Sequence, residues 1–272
     1  ALLLLDLWPL ASIRLDRDFW RTCGKSLLEK LPWFAMGIAA GLFAIRNTIQ
    51  NNTFLSAADV PMRLRLQTAI LAYTRYLGKL VWPTNMAVFY PYPKSWPVLW
   101  IVGASALFVA IAAITIWQIR RRPYLFVGWF WYVGVLFPIC GVFVVGDASI
   151  ADRYTYIPYV GLFIAIAWLA VETFKSLQRE LLAVGTVIAL ACATVTFHQV
   201  QFWQNSFTLM GHAMAVTNDN WTAYINYGSA LMADHQVDEA GKYFRLALEA
   251  QPNGYLGNLD YGCYLLDNND LA

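Results

Sequence analysis

A chain of 272 residues has room for one large domain or two small ones. Charged residues make up only 13% and hydrophobic residues 59%, with a mean hydropathy of +0.47. Soluble domains carry about 25% charged residues, so this composition is that of a membrane protein, and a net charge of +2 is too small to imply nucleic acid. Cys23, Cys140, Cys192 and Cys263 show no CxxC spacing and two of them fall in apolar runs. They support neither a zinc site nor a disulfide framework.

The chain opens on Ala1-Leu2-Leu3-Leu4-Leu5, which reads as the last turns of a helix over about 1–10. No basic segment precedes this run and no small-residue cleavage site follows it, so a piece of a longer protein is expected. A charged stretch with Arg14, Arg17, Arg21, Lys25 and Lys30 comes next. The apolar run 31–49 barely reaches the ~20 residues a membrane crossing needs.

Residues 60–82 mix Arg63, Arg65, Arg75 and Lys79 with Leu, Ile, Ala and Tyr, between Pro61 and Pro83. That pattern predicts an amphipathic helix lying in the membrane interface. A true crossing there has to bury several charges. The stretch 83–93 is too rich in proline and aromatics for a regular element and is expected to fold onto the membrane face.

Apolar runs at about 97–119, 124–145, 157–174 and 181–202 complete five predicted crossings. If 11–30 lies inside, Arg120-Arg121-Arg122 and the Lys175–Arg179 connector fall inside too. The inner segments then hold ten Lys and Arg, whereas the short outer loop 146–157 holds Arg153 alone. Basic residues favour the cytoplasmic side, so this loop and everything after about 203 are expected outside.

That outer loop reads Gly146-Asp147-Ala148-Ser149-Ile150-Ala151-Asp152-Arg153-Tyr154-Thr155-Tyr156. Charges between two apolar runs must sit at headgroup level or in a watered cavity, because hydrocarbon offers them no partners. The plain alternative is a polar hairpin that only joins two helices.

From about 221 the composition turns to that of a soluble helical region. Tyr227 and Tyr261, Gly228 and Gly262, and Leu231 and Leu265 are each 34 residues apart, the period of the tetratricopeptide repeat. Tyr227-Gly228 opens the pattern; Ala240, Phe244 and Ala247 follow on a second helix, and Pro252 closes it. A second copy begins near 255 with Gly262. The expectation is therefore an all-α chain: a polytopic helical membrane domain over 1–203, a linker helix over 204–220, and repeats over 221–272.

The run Ala151-Asp152-Arg153-Tyr154-Thr155-Tyr156-Ile157-Pro158-Tyr159-Val160-Gly161-Leu162-Phe163, followed by such repeats, resembles one family. It is similar to the bacterial relatives of the transmembrane-and-tetratricopeptide-repeat O-mannosyltransferases. Leu4-Leu5-Asp6-Leu7-Trp8-Pro9-Leu10 and Tyr76-Leu77-Gly78-Lys79-Leu80-Val81-Trp82-Pro83 resemble further pieces of its pattern. The resemblance implies a GT-C-type membrane glycosyltransferase that uses a polyprenyl-phosphate-linked, mannose-like sugar and acts on protein at the non-cytoplasmic face of a bacterial inner membrane. The acidic catalytic residues of that class lie in an earlier loop, so it implies no catalytic residue within 1–272.

Within that reading the loop has a chemical role. Arg153 suits a lipid phosphate, because a guanidinium can form paired hydrogen bonds to its oxygens as charge develops. Asp152 or Asp147 holds the guanidinium, while Tyr154 and Tyr156 anchor at the interface. The repeats bind the acceptor or a partner protein. The competing reading is a non-catalytic membrane anchor displaying a repeat scaffold for envelope assembly or secretion. Lipid and protein are the expected partners; no cofactor or metal motif is evident. His198 reads as a helix-end residue and His212 as a surface residue, and Asn51-Asn52-Thr53 and Asn220-Trp221-Thr222 match the short N-glycosylation pattern.

Overall fold

The computed structural model describes residues 2–13, 15–50, 60–141 and 149–267. The protein is all-α: no strand occurs among these residues, only an isolated antiparallel bridge between Tyr90 and Ile150. Two compact units form.

The first unit comprises Ala1–Val81, Lys94–Gly146 and Tyr154–Val184. It holds α1 (Leu2–Leu7), α2 (Phe19–Glu29), α3 (Leu31–Gln50), α4 (Met62–Val81), α5 (Val98–Trp117), α6 (Pro123–Leu136) and α7 (Tyr156–Thr173). Helix α8 (Gln178–Val200) starts here and continues into the second unit.

Helices α6 and α7 approach closely at two glycines. A Cβ added to Gly128 would lie 2.5 Å from the Gly161 carbonyl oxygen, and one on Gly161 would lie 2.7 Å from that of Gly128. Small residues let helices in a membrane meet in this way, since packing rather than apolar burial drives their association. Tyrosines then tie α4 to the pair. Tyr73 donates its hydroxyl to the Val133 carbonyl (3.0 Å), Tyr132 to that of Tyr73 (2.6 Å), and Tyr159 to that of Tyr76 (2.6 Å). Each of those hydroxyls has a carbonyl acceptor, as buried polar groups require.

Helix α4 differs from its sequence reading in one respect. Its apolar face (Ala69, Leu71, Ala72, Tyr73, Tyr76) is buried in protein against α5 and α6 rather than left to lipid. Helix α6 is also shorter than the apolar run 124–145. It stops at Leu136 and gives way to a 3₁₀ turn over Phe137–Ile139. Pro138 has no N–H and its ring opposes the carbonyl four residues back.

At the other end of α6, Glu172 accepts hydrogen bonds from Arg122 Nε (3.1 Å) and from the Tyr124 hydroxyl. Trp8 packs edge-on against Trp168 at 5.1 Å. Asp6, buried on α1, is ion-paired with Lys30, which neutralises a charge the apolar surroundings would otherwise expel.

Among the described residues, three helices are long and apolar enough to cross a membrane: Val98–Trp117, Asp152–Thr173 and Gln178–Trp203. Many of their large side chains are exposed; Leu99 is 80% and Val187 65% exposed, although Leu162 is buried. A surface this apolar needs lipid around it. The other two expected crossings show shorter apolar stretches among the described residues, Leu31–Phe43 and Pro123–Ile139.

The second unit comprises Trp82–Pro93, Asp147–Arg153 and Gly185–Ala272. After α8 it holds α9 (Ser206–Val216), α10 (Trp221–Ala233), α11 (Val237–Ala250) and α12 (Tyr255–Asp267). Asn205 caps α9 by accepting from Thr208 N–H (2.8 Å), and Asn220 caps α10 by accepting from Ala223 N–H (3.1 Å). His235, in the left-handed region at φ 61°, turns the chain from α10 into α11.

Helices α10 and α11 pack with Gly228 directly under the Phe244 ring, where a Cβ would come within 2.7 Å. Leu231, Ala240 and Phe244 form the buried centre, ringed by Phe207, Tyr227, Tyr243, Tyr261 and Tyr264. A phenylalanine buried to this degree contributes about 1.5–3 kcal/mol. Ala247 is buried beside it, whereas Gly262 on α12 faces open space.

Candidate functional site

Within the second unit, the stretch Trp82–Pro93 and the residues just before Arg153 are pinned to each other. Ser149 is buried, and its N–H (2.8 Å) and hydroxyl (2.9 Å) both donate to the Tyr90 carbonyl. Tyr90 N–H in turn donates to the Ile150 carbonyl at 3.3 Å. One bridge of backbone pairing thus sets the position of Asp152 and Arg153.

The side chains complete the clamp. The Asp152 carboxylate accepts from the Ala87 N–H (3.0 Å) and lies 2.7 Å from the Tyr90 hydroxyl. That hydroxyl accepts from the same Ala87 N–H (2.9 Å) and also lies 2.9 Å from the Asn85 carbonyl. Bonds to an ionised acceptor are the stronger kind, so the hydroxyl donates to the carboxylate. Arg153, whose side chain is exposed, donates from Nη1 to the Val88 carbonyl (3.0 Å), and its guanidinium lies 5.2 Å from the centre of the Phe89 ring. Cation–π contacts of this length are attractive.

The far side of the same stretch is held as firmly. Asn220 Nδ2 donates to the Phe89 carbonyl (3.1 Å). His212 Nε2 lies 3.0 Å from the Met86 carbonyl, with its ring stacked on Phe202 at 3.7 Å, and Gln199 Nε2 donates to the same carbonyl at 3.4 Å. Backbone without regular structure must satisfy its polar groups somewhere. Here Gln199 on α8, His212 on α9 and the residue that caps α10, Asn220, do so.

The residues singled out in sequence are distributed as follows. Asp152 and Arg153 belong to this clamp. Asp147 lies outside the described residues. Tyr154 is half-buried and Tyr156, the first residue of α7, is 76% exposed; both belong to the first unit. His198 sits in the last turn of α8, as expected of a helix-end residue, but His212 is half-buried and engaged rather than a free surface residue. The Asn220-Trp221-Thr222 pattern is not a glycan acceptor in the folded chain. Asn220 is 1% exposed and its amide is occupied at both ends. Asn51 lies outside the described residues.

Sequence reasoning missed Tyr90 and Ser149. Neither sits in a recognisable motif, and Tyr90 is 62 residues from its carboxylate partner. The one available signal was the density of proline and aromatics over 83–93, which marks a stretch held by tertiary contacts.

No protein-family model matches the sequence, and no solved structure matches it. Curated proteins do. The chain is similar to a protein O-mannosyl-transferase. It is 29% identical over 116 residues to Protein O-mannosyl-transferase TMTC3 of Homo sapiens, a match that takes in 42% of this chain and 13% of the human protein. The mouse protein of the same name is 27% identical over 115 residues, covering 42% of this chain and 12% of its own length. These similarities support a relationship to that family.

Proposed function

We propose that the chain is part of a GT-C-type membrane glycosyltransferase that moves a mannose-like sugar from a polyprenyl-phosphate carrier to protein. The carrying observation is the clamp that holds an exposed Arg153 on the stretch Trp82–Pro93 through Asp152 and Tyr90. Kinship with O-mannosyl-transferases and the three apolar helices support the reading.

In this reading Arg153 receives the phosphate of the lipid carrier, where negative charge grows as the sugar leaves. Asp152 fixes the stretch whose Val88 carbonyl and Phe89 ring carry that guanidinium. Tyr154 and Tyr156 sit at headgroup level as interfacial anchors. No residue of this chain is assigned as the base that takes the proton of the acceptor hydroxyl. The 34-residue period and the α10–α11–α12 arrangement support tetratricopeptide repeats, which would hold the acceptor or a partner. The site faces the non-cytoplasmic side, the periplasm if the membrane is a bacterial inner membrane.

A second reading has its own observation. The Val88 and Phe89 contacts of Arg153 are those of a structural tie, which suits a non-catalytic anchor for a repeat scaffold. Membranes containing the full-length protein separate the two. Labelled mannose should pass from a polyprenyl-phosphate donor to protein only when the protein is present. Absence of transfer by a correctly inserted protein would leave the scaffold.

A further inference from the structure

Helix α5 ends at Trp117, an indole 75% exposed, and Arg120-Arg121-Arg122 follow before Pro123 starts α6. A 20-residue apolar helix is ~30 Å long, the thickness of the hydrocarbon layer. Trp117 therefore lies at the headgroup level and the arginines just beyond it. Arg122 is engaged by Glu172. The side chains of Arg120 and Arg121 are exposed and make no ion pair or hydrogen bond among the described residues.

Beside them the first unit carries an open groove of about 320 Å³, lined by Leu7, Ile13, Leu15, Ile119, Arg120 and Pro123. Five of the six lining residues have apolar side chains and the sixth is cationic. An occupant must bring hydrocarbon for the walls and an anion for the guanidinium, and must reach the site from the bilayer. We propose that this groove binds one anionic phospholipid, with its phosphate on Arg120 and the upper part of an acyl chain along Leu7, Ile13 and Ile119. Charge complementarity selects the headgroup. Arg120 and Arg121 favour a lipid of net negative charge over a zwitterionic one, whose ammonium they repel. The site is remote in sequence from the Arg153 clamp and does not depend on sugar transfer; it requires only that α5 cross the membrane.

Native mass spectrometry of the full chain in detergent, titrated with phosphatidylglycerol or phosphatidylcholine, tests it. One phosphatidylglycerol should stay bound under conditions that strip phosphatidylcholine. Arg120→Gln should weaken that binding at least about tenfold, the loss of one charge-assisted hydrogen bond, while Arg121→Gln weakens it less. Ile119→Trp, which fills the groove without changing charge, should also release the lipid. Arg120 is exposed, so its variant keeps the fold, which the melting temperature of each sample checks. Equal retention of the two lipids would overturn the proposal, as would equal losses in Arg120→Gln and Arg121→Gln. So would a wild-type chain that retains no phosphatidylglycerol because another protein segment occupies the groove.

Discussion

Tyr90 is the most heavily used side chain in the clamp. It is 5% exposed, and its hydroxyl lies within 2.9 Å of a carboxylate, a carbonyl and an N–H at once. Tyr90→Phe keeps the ring but leaves Asp152 short of a donor, and losing a hydrogen bond to a charged group costs about 1.5–3 kcal/mol. We predict a lower melting temperature in detergent for Tyr90→Phe, and no change for Tyr156→Phe, whose hydroxyl is on an exposed ring. Equal melting of the two variants would show that the Asp152–Tyr90 bond is not holding the stretch. At this scale the sequence was informative about which residues are unusual and silent about what they touch. Asp152 and Arg153 stand out because charge between apolar runs is costly. Their partners Ala87, Val88 and Tyr90 are ordinary residues more than sixty positions away, and spacing says nothing about such pairs. Asn220 shows the converse: a three-residue pattern suggests a modification that burial forbids.

The helices themselves were legible, because runs of about 20 apolar residues have few other solutions. Their packing was not. Amphipathicity in α4 showed that one face would be buried, yet hydropathy cannot distinguish a lipid interface from the protein wall that α5 and α6 provide. The early end of α6 at Leu136 follows from Pro138, a signal hidden by the unbroken apolar composition around it. Gly128 and Gly161 also look unremarkable in sequence, since Gly134 and Gly185 occupy similar runs and meet nothing within 4 Å. The structure separates them. Gly128→Val forces α6 and α7 apart, because its Cβ would meet backbone rather than a movable side chain. Overpacking of this kind costs about 1–3 kcal/mol or more. Gly128→Val should therefore lower the yield of folded protein and its melting temperature, whereas Gly134→Val should do neither. Indistinguishable stability of the two would mean that the helices have room to separate.

For the whole molecule, orientation in the membrane joins the sequence to the proposed chemistry. We propose that the Arg153 loop and α10–α12 lie on the side opposite the three inner segments, which hold ten basic residues. A reporter active only in the periplasm should work when fused after Asp267 and fail when fused after Arg122; the reverse pattern would invert the topology. All-helical class and membrane residence were readable from composition and period. The joining of Trp82–Pro93 to Asp147–Arg153 and Gly185–Ala272 in one unit was not, because it rests on contacts between distant segments of irregular backbone. The central claim is that Arg153 serves a lipid phosphate, and sugar transfer by the full-length protein tests it most directly. Arg153→Lys keeps the charge but loses the planar paired donors, so transfer in membranes at matched protein level should fall about as far as in Arg153→Ala, roughly tenfold or more. Undiminished transfer by both variants would contradict the account and leave Arg153 a tie between Val88 and Phe89.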